Sequence, residues 1–204
     1  YDNISRIVSC MMKASGFDET KGGKETFWII GGKMILELAL RLTLLDKANG
    51  KTPEVTLEAL YEKVAALTQE EIDKFAKEKE GEGHKVESGA LRQMARFVQS
   101  SGSSFSDRAS YAKSAVKKFT SPAVKNLTRK STINLLEVRK RPTVIYLKIR
   151  QSQLSEYQFL LSLFYTRFFA TCYEESNVRR EGGSNRSLPV FCFMDEFGHT
   201  PIPD

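Results

Sequence analysis

Residues 188–204, LPVFCFMDEFGHTPIPD, carry the pattern that decides the predicted fold. Four apolar residues at 191–194 run without interruption into two adjacent carboxylates, Asp195 and Glu196. An unbroken apolar run is typical of a strand that is buried on both faces of a parallel sheet. Open α/β sheets bind ligands at the carboxyl ends of their strands, which is where the carboxylates fall. The alternative is a strand followed by a plain polar turn.

The residues before this run complete a strand–helix–strand pattern. Residues 143–149, TVIYLKI, are rich in β-branched and aromatic side chains and predict a strand. Residues 154–175 are apolar on most of a helical face, so they predict a largely buried helix, and a polar loop follows at 177–187. The sequence therefore predicts that the strands 143–149 and 190–194 lie parallel in one sheet, with the helix crossing over right-handedly between them.

The first two thirds of the chain are helical in pattern. Thr56 and Thr68 are suitable N-caps, and Gly31-Gly32 favours a close helix crossing within a long helix. That helix carries Lys33, Glu37 and Arg41 on one face, which indicates an amphipathic helix and not a membrane span. The predicted helices cover residues 3–14, 25–47, 57–67, 69–80, 86–99 and about 106–119.

Composition narrows the class of protein. The 204 residues are 41% hydrophobic and 27% charged, which is the composition of an ordinary globular protein. The net charge of +6 permits binding to an acidic partner but does not require it. Cys10, Cys172 and Cys192 lie in apolar surroundings, which predicts reduced thiols in the core of a cytosolic protein. Two histidines and the absence of a Cys-x-x-Cys pair argue against a zinc site.

Positive charge is concentrated in residues 84–150, where 15 bases face 3 acids, a balance of +12. Such a surface can neutralise DNA phosphates weakly and without reading sequence. The alternatives are a solvated surface, or one that pairs with the acidic stretch 51–83, where 5 bases face 9 acids. The candidate DNA-contacting residues are Arg92, Arg96, Lys113, Lys117, Lys118, Lys125, Arg129 and Lys130.

The pattern at 191–196 is that of a Walker B strand. Asp195 would hold Mg²⁺ at the phosphates of a nucleotide, and Glu196 would orient the attacking water. No phosphate-binding loop of the form Gly-x4-Gly-Lys-Ser/Thr is present, since the Gly-Gly-Lys runs at 22–24 and 31–33 fail the pattern on both sides. Either the Walker B interpretation is wrong, or the loop precedes Tyr1.

Several segments, in order, resemble the conjugative coupling proteins of type IV secretion, the TraG/TraD-like ATPases. Residues 195–203, DEFGHTPIP, resemble the family's Walker B segment, although Gly198-His199-Thr200 departs from its usual turn. Residues 141–147, RPTVIYL, resemble the strand before it, and 154–173 fit the helix between them. Phe27-Trp28 resembles the pair that opens the family's inserted helical domain.

The resemblance implies a mainly α-helical, bundle-like domain inserted in a RecA-like α/β nucleotide-binding domain, of which only part is present. Residues 1–24 would be the edge of the motor domain, 25–130 the all-alpha substrate-docking domain, and 131–204 the partial motor domain. The full-length protein would be a hexameric ATPase that uses ATP and Mg²⁺, with Glu196 as the catalytic carboxylate. This chain would be monomeric, bind no nucleotide and be inactive alone.

The implied partners are relaxase or relaxosome accessory proteins, DNA, and components of the secretion channel. The implied place is the cytoplasmic face of the inner membrane, through an anchor outside these residues. Two other classes stay open: an autonomous helical adaptor or DNA-binding module without ATP chemistry, and another RecA-like translocase. The sequence leaves open whether plasmid DNA or effector proteins are transferred.

Overall fold

The structure is a computed structural model. It describes residues 2–18, 22–23, 25–51, 54–68, 70–72, 93, 96–97, 104–180 and 188–194, with the backbone alone at 2 and 174–180. The chain divides into two compact units, Tyr1–Arg129 and Lys130–Asp204.

In the described residues of the first unit, every regular element of secondary structure is a helix. The long helix α2 lies at its centre and packs against three others. Its C-terminus closes at Gly50, whose φ of 72° is one that glycine adopts without strain, and Asn49 N–H donates to the carbonyl of Leu45 at 2.9 Å. The helices are α1 (Asp2–Ala14), α2 (Thr26–Ala48), α3 (Leu57–Ala66), α4 (Phe105–Val116) and α5 (Pro122–Thr128), with a 3₁₀ turn at Lys117–Thr120.

The two predicted caps are confirmed. Thr56 Oγ1 accepts from the N–H of Ala59 at 3.1 Å and begins α3. Thr68 and Glu71 form a reciprocal capping box, in which each side chain accepts from the other's backbone N–H. Residues 70–72 are helical beyond it, and the rest of the helix predicted at 69–80, like most of that at 86–99, lies outside the described residues.

The core of this unit is built by the predicted apolar stripes. Ala109, Ala112 and Val116 of α4 and Phe119 of the 3₁₀ turn are buried, as their spacing predicts. They meet side chains from the other helices that are at most 4% exposed, namely Val8, Cys10, Met11, Met12, Ile35, Leu36, Leu38, Ala39, Leu60 and Val64.

The Gly31-Gly32 pair marks a close crossing of α2 with α4, as predicted. A Cβ added at Gly32 would lie 2.7 Å from Tyr111 Cβ and 3.2 Å from the backbone nitrogen of Ala112. A Cβ at Gly31 would lie 2.5 Å from Arg108 Cδ. The Arg108 guanidinium is 4.4 Å from the ring centroid of Phe27 and 4.9 Å from that of Phe97.

The polar stripe of α2 is not a solvated face. Glu37 is 7% exposed and Arg41 is 9% exposed, so both lie inside the unit. The physical reason is the central position of α2, which α1, α3 and α4 all contact. Among the described residues, no helix combines the length and the apolarity that a membrane crossing requires.

The second unit contains one long helix, α6 (Leu154–Arg180), which begins where the sequence predicts and ends later. A 3₁₀ turn, Gln151–Gln153, precedes it. Neighbouring turns place Phe164 over Phe168 and Tyr165 over Phe169, with centroid distances of 5.9 and 6.0 Å. Phe159 and Phe168 are buried and Tyr173 is 71% exposed, so α6 is less buried than predicted.

The two predicted strands are wrong for the described residues, in which no strand is present. Residues 143–149 and 190–194 have no regular secondary structure. Val144 is 74%, Tyr146 79% and Phe193 95% exposed, whereas a strand of a parallel sheet is buried on both faces. Apolar, β-branched residues suit a strand, but a ladder forms only beside a hydrogen-bonding neighbour, and the described residues supply none.

The prediction of three core thiols is also wrong in part. Cys10 is buried and Cys172 half-buried, but Cys192 is exposed. Cys192 lies in the segment 188–194, whose apolar side chains are exposed like its own, apart from the half-buried Met194.

Candidate functional site

The segment Leu188–Met194, which leads into Asp195 and Glu196, is anchored at its first residue. Leu188 N–H donates to the carbonyl of Arg139 at 2.8 Å, and Arg139 Nε donates back to the carbonyl of Leu188 at 3.0 Å. The same guanidinium donates through Nη1 to the carbonyl of Cys172 in α6, at 3.2 Å. Arg139 therefore binds the N–H of Leu188 through its own carbonyl and the carbonyl of Leu188 through its guanidinium. The same guanidinium connects Leu188 to α6.

The electrostatic surroundings of Tyr165 on α6 include this segment. Burial raises the pKa of the Tyr165 hydroxyl, and Cys192 adds a smaller electrostatic contribution in the same direction. The hydrogen bond from Arg139 to the carbonyl of Cys172 is what connects the segment to α6.

The carboxylates themselves, Asp195 and Glu196, lie outside the described residues, as does Arg92. Their roles stay predictions from the sequence. Carboxylate oxygens are suitable donors for Mg²⁺, so the chemistry of this pair fits the metal of a bound nucleotide. The phosphate groups would need a glycine-rich loop, which the 204 residues do not contain.

The candidate DNA-contacting residues that the structure describes are exposed, apart from one. Lys113 on α4 and Lys117 and Lys118 on the 3₁₀ turn all face solvent, off the buried stripe. Arg129 and Lys130 follow α5 and are also exposed, as is Arg96. We call Lys113, Lys117, Lys118, Arg129 and Lys130 the basic segment. Within the described part of the chain, none of these five makes an ion pair.

The exception is Lys125, which is half-buried and already paired. Its Nζ lies 2.5 Å from Glu58 Oε1 on α3, and this hydrogen bond raises the pKa of Lys125. Glu62, one turn further along α3, contributes in the same direction. One alternative left open by the sequence was that the basic residues pair with the acidic stretch 51–83. At Lys125 the structure shows this pairing. Lys125 is therefore a weaker candidate for phosphate contact than its neighbours.

The family model for type IV secretory system conjugative DNA transfer matches residues 2–200 of the chain. The chain belongs to this family. No curated protein and no solved structure matches it significantly. The resemblance to coupling proteins drawn from the sequence is thereby confirmed, and the chain's part in conjugative DNA transfer by type IV secretion follows from its family.

In this member of the conjugative DNA transfer family, the sequence did not identify Arg139 as a residue that connects distant parts of the chain. The sequence presents it as one of 15 bases between residues 84 and 150, flanked by Lys140 and Arg141. Its contacts lie 33 and 49 residues further along the chain. No local pattern distinguishes it from Arg141, which is exposed, so only the folded geometry identifies it.

Proposed function

We propose that this chain is part of the coupling ATPase of a conjugative type IV secretion system. Residues 25–130 form its all-alpha substrate-docking domain, and residues 131–204 are part of a RecA-like motor domain that ends in the Walker B carboxylates. The observation that carries the proposal is the family match over 2–200, together with the apolar run that enters Asp195-Glu196. The exposed apolar side chains of 143–149 and 188–194 support it, because a RecA-like sheet would cover them.

In the full-length protein, Asp195 would hold the Mg²⁺ of ATP and Glu196 would orient the attacking water. Bound ATP and its metal supply the phosphoryl group whose transfer drives translocation. The full-length protein would act as a hexamer at the cytoplasmic face of the inner membrane. It would receive relaxase-bound DNA or protein substrates on the helical domain and pass them to the secretion channel. The phosphate-binding loop and the anchor lie in parts of that protein outside these residues.

The test is Glu196→Gln in the full-length protein. We expect ATP hydrolysis to fall by at least ~100-fold, since the group that orients water is lost, while nucleotide affinity is nearly unchanged because Asp195 is kept. The matched control is Glu137→Gln, an exposed carboxylate whose partner is Lys140. The isolated 204-residue chain should show no turnover. A Glu196→Gln protein that hydrolyses ATP at the wild-type rate contradicts the proposal.

A second candidate function is DNA contact by the basic segment, favoured by five exposed bases without ion pairs in the described residues. Binding would be weak, indifferent to sequence and steeply salt-dependent, because released counterions supply most of its free energy. Lys113→Glu with Lys117→Glu should weaken binding to all sequences alike and flatten the salt slope. Arg6→Glu with Lys47→Glu, exposed on α1 and α2, changes net charge equally and should have less effect. If the two double variants weaken DNA binding equally, net charge explains the binding and the basic segment is not a DNA-contacting surface.

A further inference from the structure

The ring of Phe27, on the first turn of α2, is a large apolar side chain that stays open to solvent. Phe27 is 54% exposed. The guanidinium carbon of Arg108 lies over one face of the ring, 4.4 Å from its centroid. The ring of Trp28 stands nearly perpendicular beside it, with a centroid distance of 5.1 Å and an interplanar angle of 79°. Because the guanidinium covers one face, the exposure of the ring belongs mainly to the opposite face.

The side chain behind the ring is itself held in place. Arg108 is 6% exposed, and its aliphatic part fills the space that Gly31 leaves on α2. Its guanidinium carbon also lies 4.9 Å from the ring centroid of Phe97, so two aromatic rings contact one cation. Guanidinium groups stack favourably on aromatic faces. Arg108 therefore supports Phe27 from behind, and a ligand on the open face would lose little free energy to ordering the ring.

A flat aromatic face that is open on one side suits a second flat ring, such as a nucleobase. A base offers a free face only where it is unstacked, so the bases inside a duplex do not qualify. The chain belongs to a family of conjugative DNA transfer, which makes DNA the relevant nucleic acid. We propose that the open face of Phe27 stacks on an unpaired base of single-stranded DNA, with Arg108 as its positioning residue. The inference goes beyond the proposed function, since it involves neither ATP nor the second unit.

The charges around the ring indicate that it contributes stacking and few phosphate contacts. Two exposed acids, Glu25 and Asp107, are close to Phe27 and Arg108 in the sequence, so this site is not basic. Phosphate contacts would come from the basic segment. Its Lys113 lies on α4 five residues after Arg108, which is about 7.5 Å along the helix axis. A short stretch of one DNA strand would span both places.

The experiment titrates the 204-residue chain with a short oligothymidylate and follows the fluorescence of Trp28, the one tryptophan in the sequence. A base on Phe27 lies beside Trp28 and should quench its emission, whereas duplex DNA of the same length should quench far less. Phe27→Leu stays apolar but loses the ring, so we expect single-strand affinity to fall roughly tenfold. Phe27→Tyr should bind like wild type. Ile30→Ala is the matched control, because Ile30 is 41% exposed one turn further along α2, and its affinity should be unchanged.

The salt dependence of binding separates this site from the basic segment. Phe27→Leu should weaken binding at every salt concentration and leave the slope of log affinity against log salt unchanged, because no phosphate contact is lost. Lys113→Glu with Lys117→Glu should instead flatten that slope. A flattened slope in Phe27→Leu would contradict a pure stacking role.

The inference is overturned if the wild-type chain binds no single-stranded DNA, if duplex quenches Trp28 equally, or if Phe27→Leu binds like wild type. An equal loss in Ile30→Ala also overturns it, because a general apolar contact, as in protein docking, would then explain both variants. If Phe27→Leu loses its helical circular dichroism, Phe27→Met, which is also apolar and not aromatic, takes its place. Glu196→Gln in the full-length protein tests the ATP chemistry separately, so the two hypotheses fail independently.

Discussion

At the scale of single residues, the α2–α4 crossing shows what two glycines do. Glycine in a helix interior costs roughly 0.5–1 kcal/mol relative to alanine, so a pair of them needs a compensating gain. The gain is the close approach of α4 to α2. At Gly32 a Cβ would lie only 2.7 Å from Tyr111 Cβ and would overlap it. At Gly31 the space is filled by Arg108, which is 6% exposed and stacks on Phe27. The pair therefore lets α4 lie directly on α2.

The first prediction concerns Gly32→Ala. We expect a loss of about 1–3 kcal/mol in the free energy of unfolding, because the new methyl overlaps a Cβ and backbone atoms that cannot rotate away. Gly31→Ala should also be destabilising, because Cδ and Cγ of the buried Arg108 lie 2.5 and 2.7 Å from the added Cβ. Urea unfolding followed by circular dichroism measures both. A Gly32→Ala protein more stable than wild type would mean that the helices are further apart.

At the scale of elements, helices were predictable and strands were not. A helix satisfies its own hydrogen bonds and is marked by local signals, so Thr56 and Gly50 place the ends of α3 and α2 within a residue or two. α5 was missed because its seven residues are too few to show a helical period. The run 143–149 has the composition of a strand, but its ladder depends on a neighbour that its own residues cannot specify. Arg139 was missed for a similar reason, since its partners are distant in sequence.

The second prediction concerns the contact between α3 and α5. Lys125 has a pKa above its ordinary 10.5 because it donates to Glu58, so the contact stabilises the folded state at all pH values below about 10.5. As the pH rises through the raised pKa, Lys125 loses its proton and the stabilisation disappears. Lys125→Gln should therefore lower Tm slightly between pH 7 and 9, and the difference from wild type should vanish at higher pH.

The matched control for this measurement is Lys118→Gln. Lys118 is exposed and no ion pair involves it in the described residues, so its Tm should equal that of wild type at every pH. Thermal unfolding of the three proteins from pH 7 to 11.5 gives the comparison. If the Lys125→Gln difference persists unchanged above the raised pKa, side-chain packing explains it and the ion pair does not.

At the scale of the whole molecule, the two units differ in how well they cover their own apolar surface. In Tyr1–Arg129, five labelled helices share a core that contains Val8, Leu36 and Phe119, each at most 1% exposed. In Lys130–Asp204, Tyr146 and Phe191 are more than three quarters exposed. Apolar side chains exposed in such runs indicate a surface that meets further protein. The predicted motor unit is therefore the part whose fold depends on its context.

The last prediction tests this dependence by amide hydrogen exchange at residues 143–149. In the isolated 204-residue chain these amides should exchange rapidly, because the described residues offer no ladder partner. In the full-length protein, where the proposed RecA-like sheet would surround the run, their exchange should slow by roughly 100-fold or more. Residues 35–39 of α2, buried in either case, are the internal control and should exchange slowly in both proteins. Rapid exchange of 143–149 in the full-length protein would remove the run from the sheet. The family assignment would stand, because it rests on the match over residues 2–200.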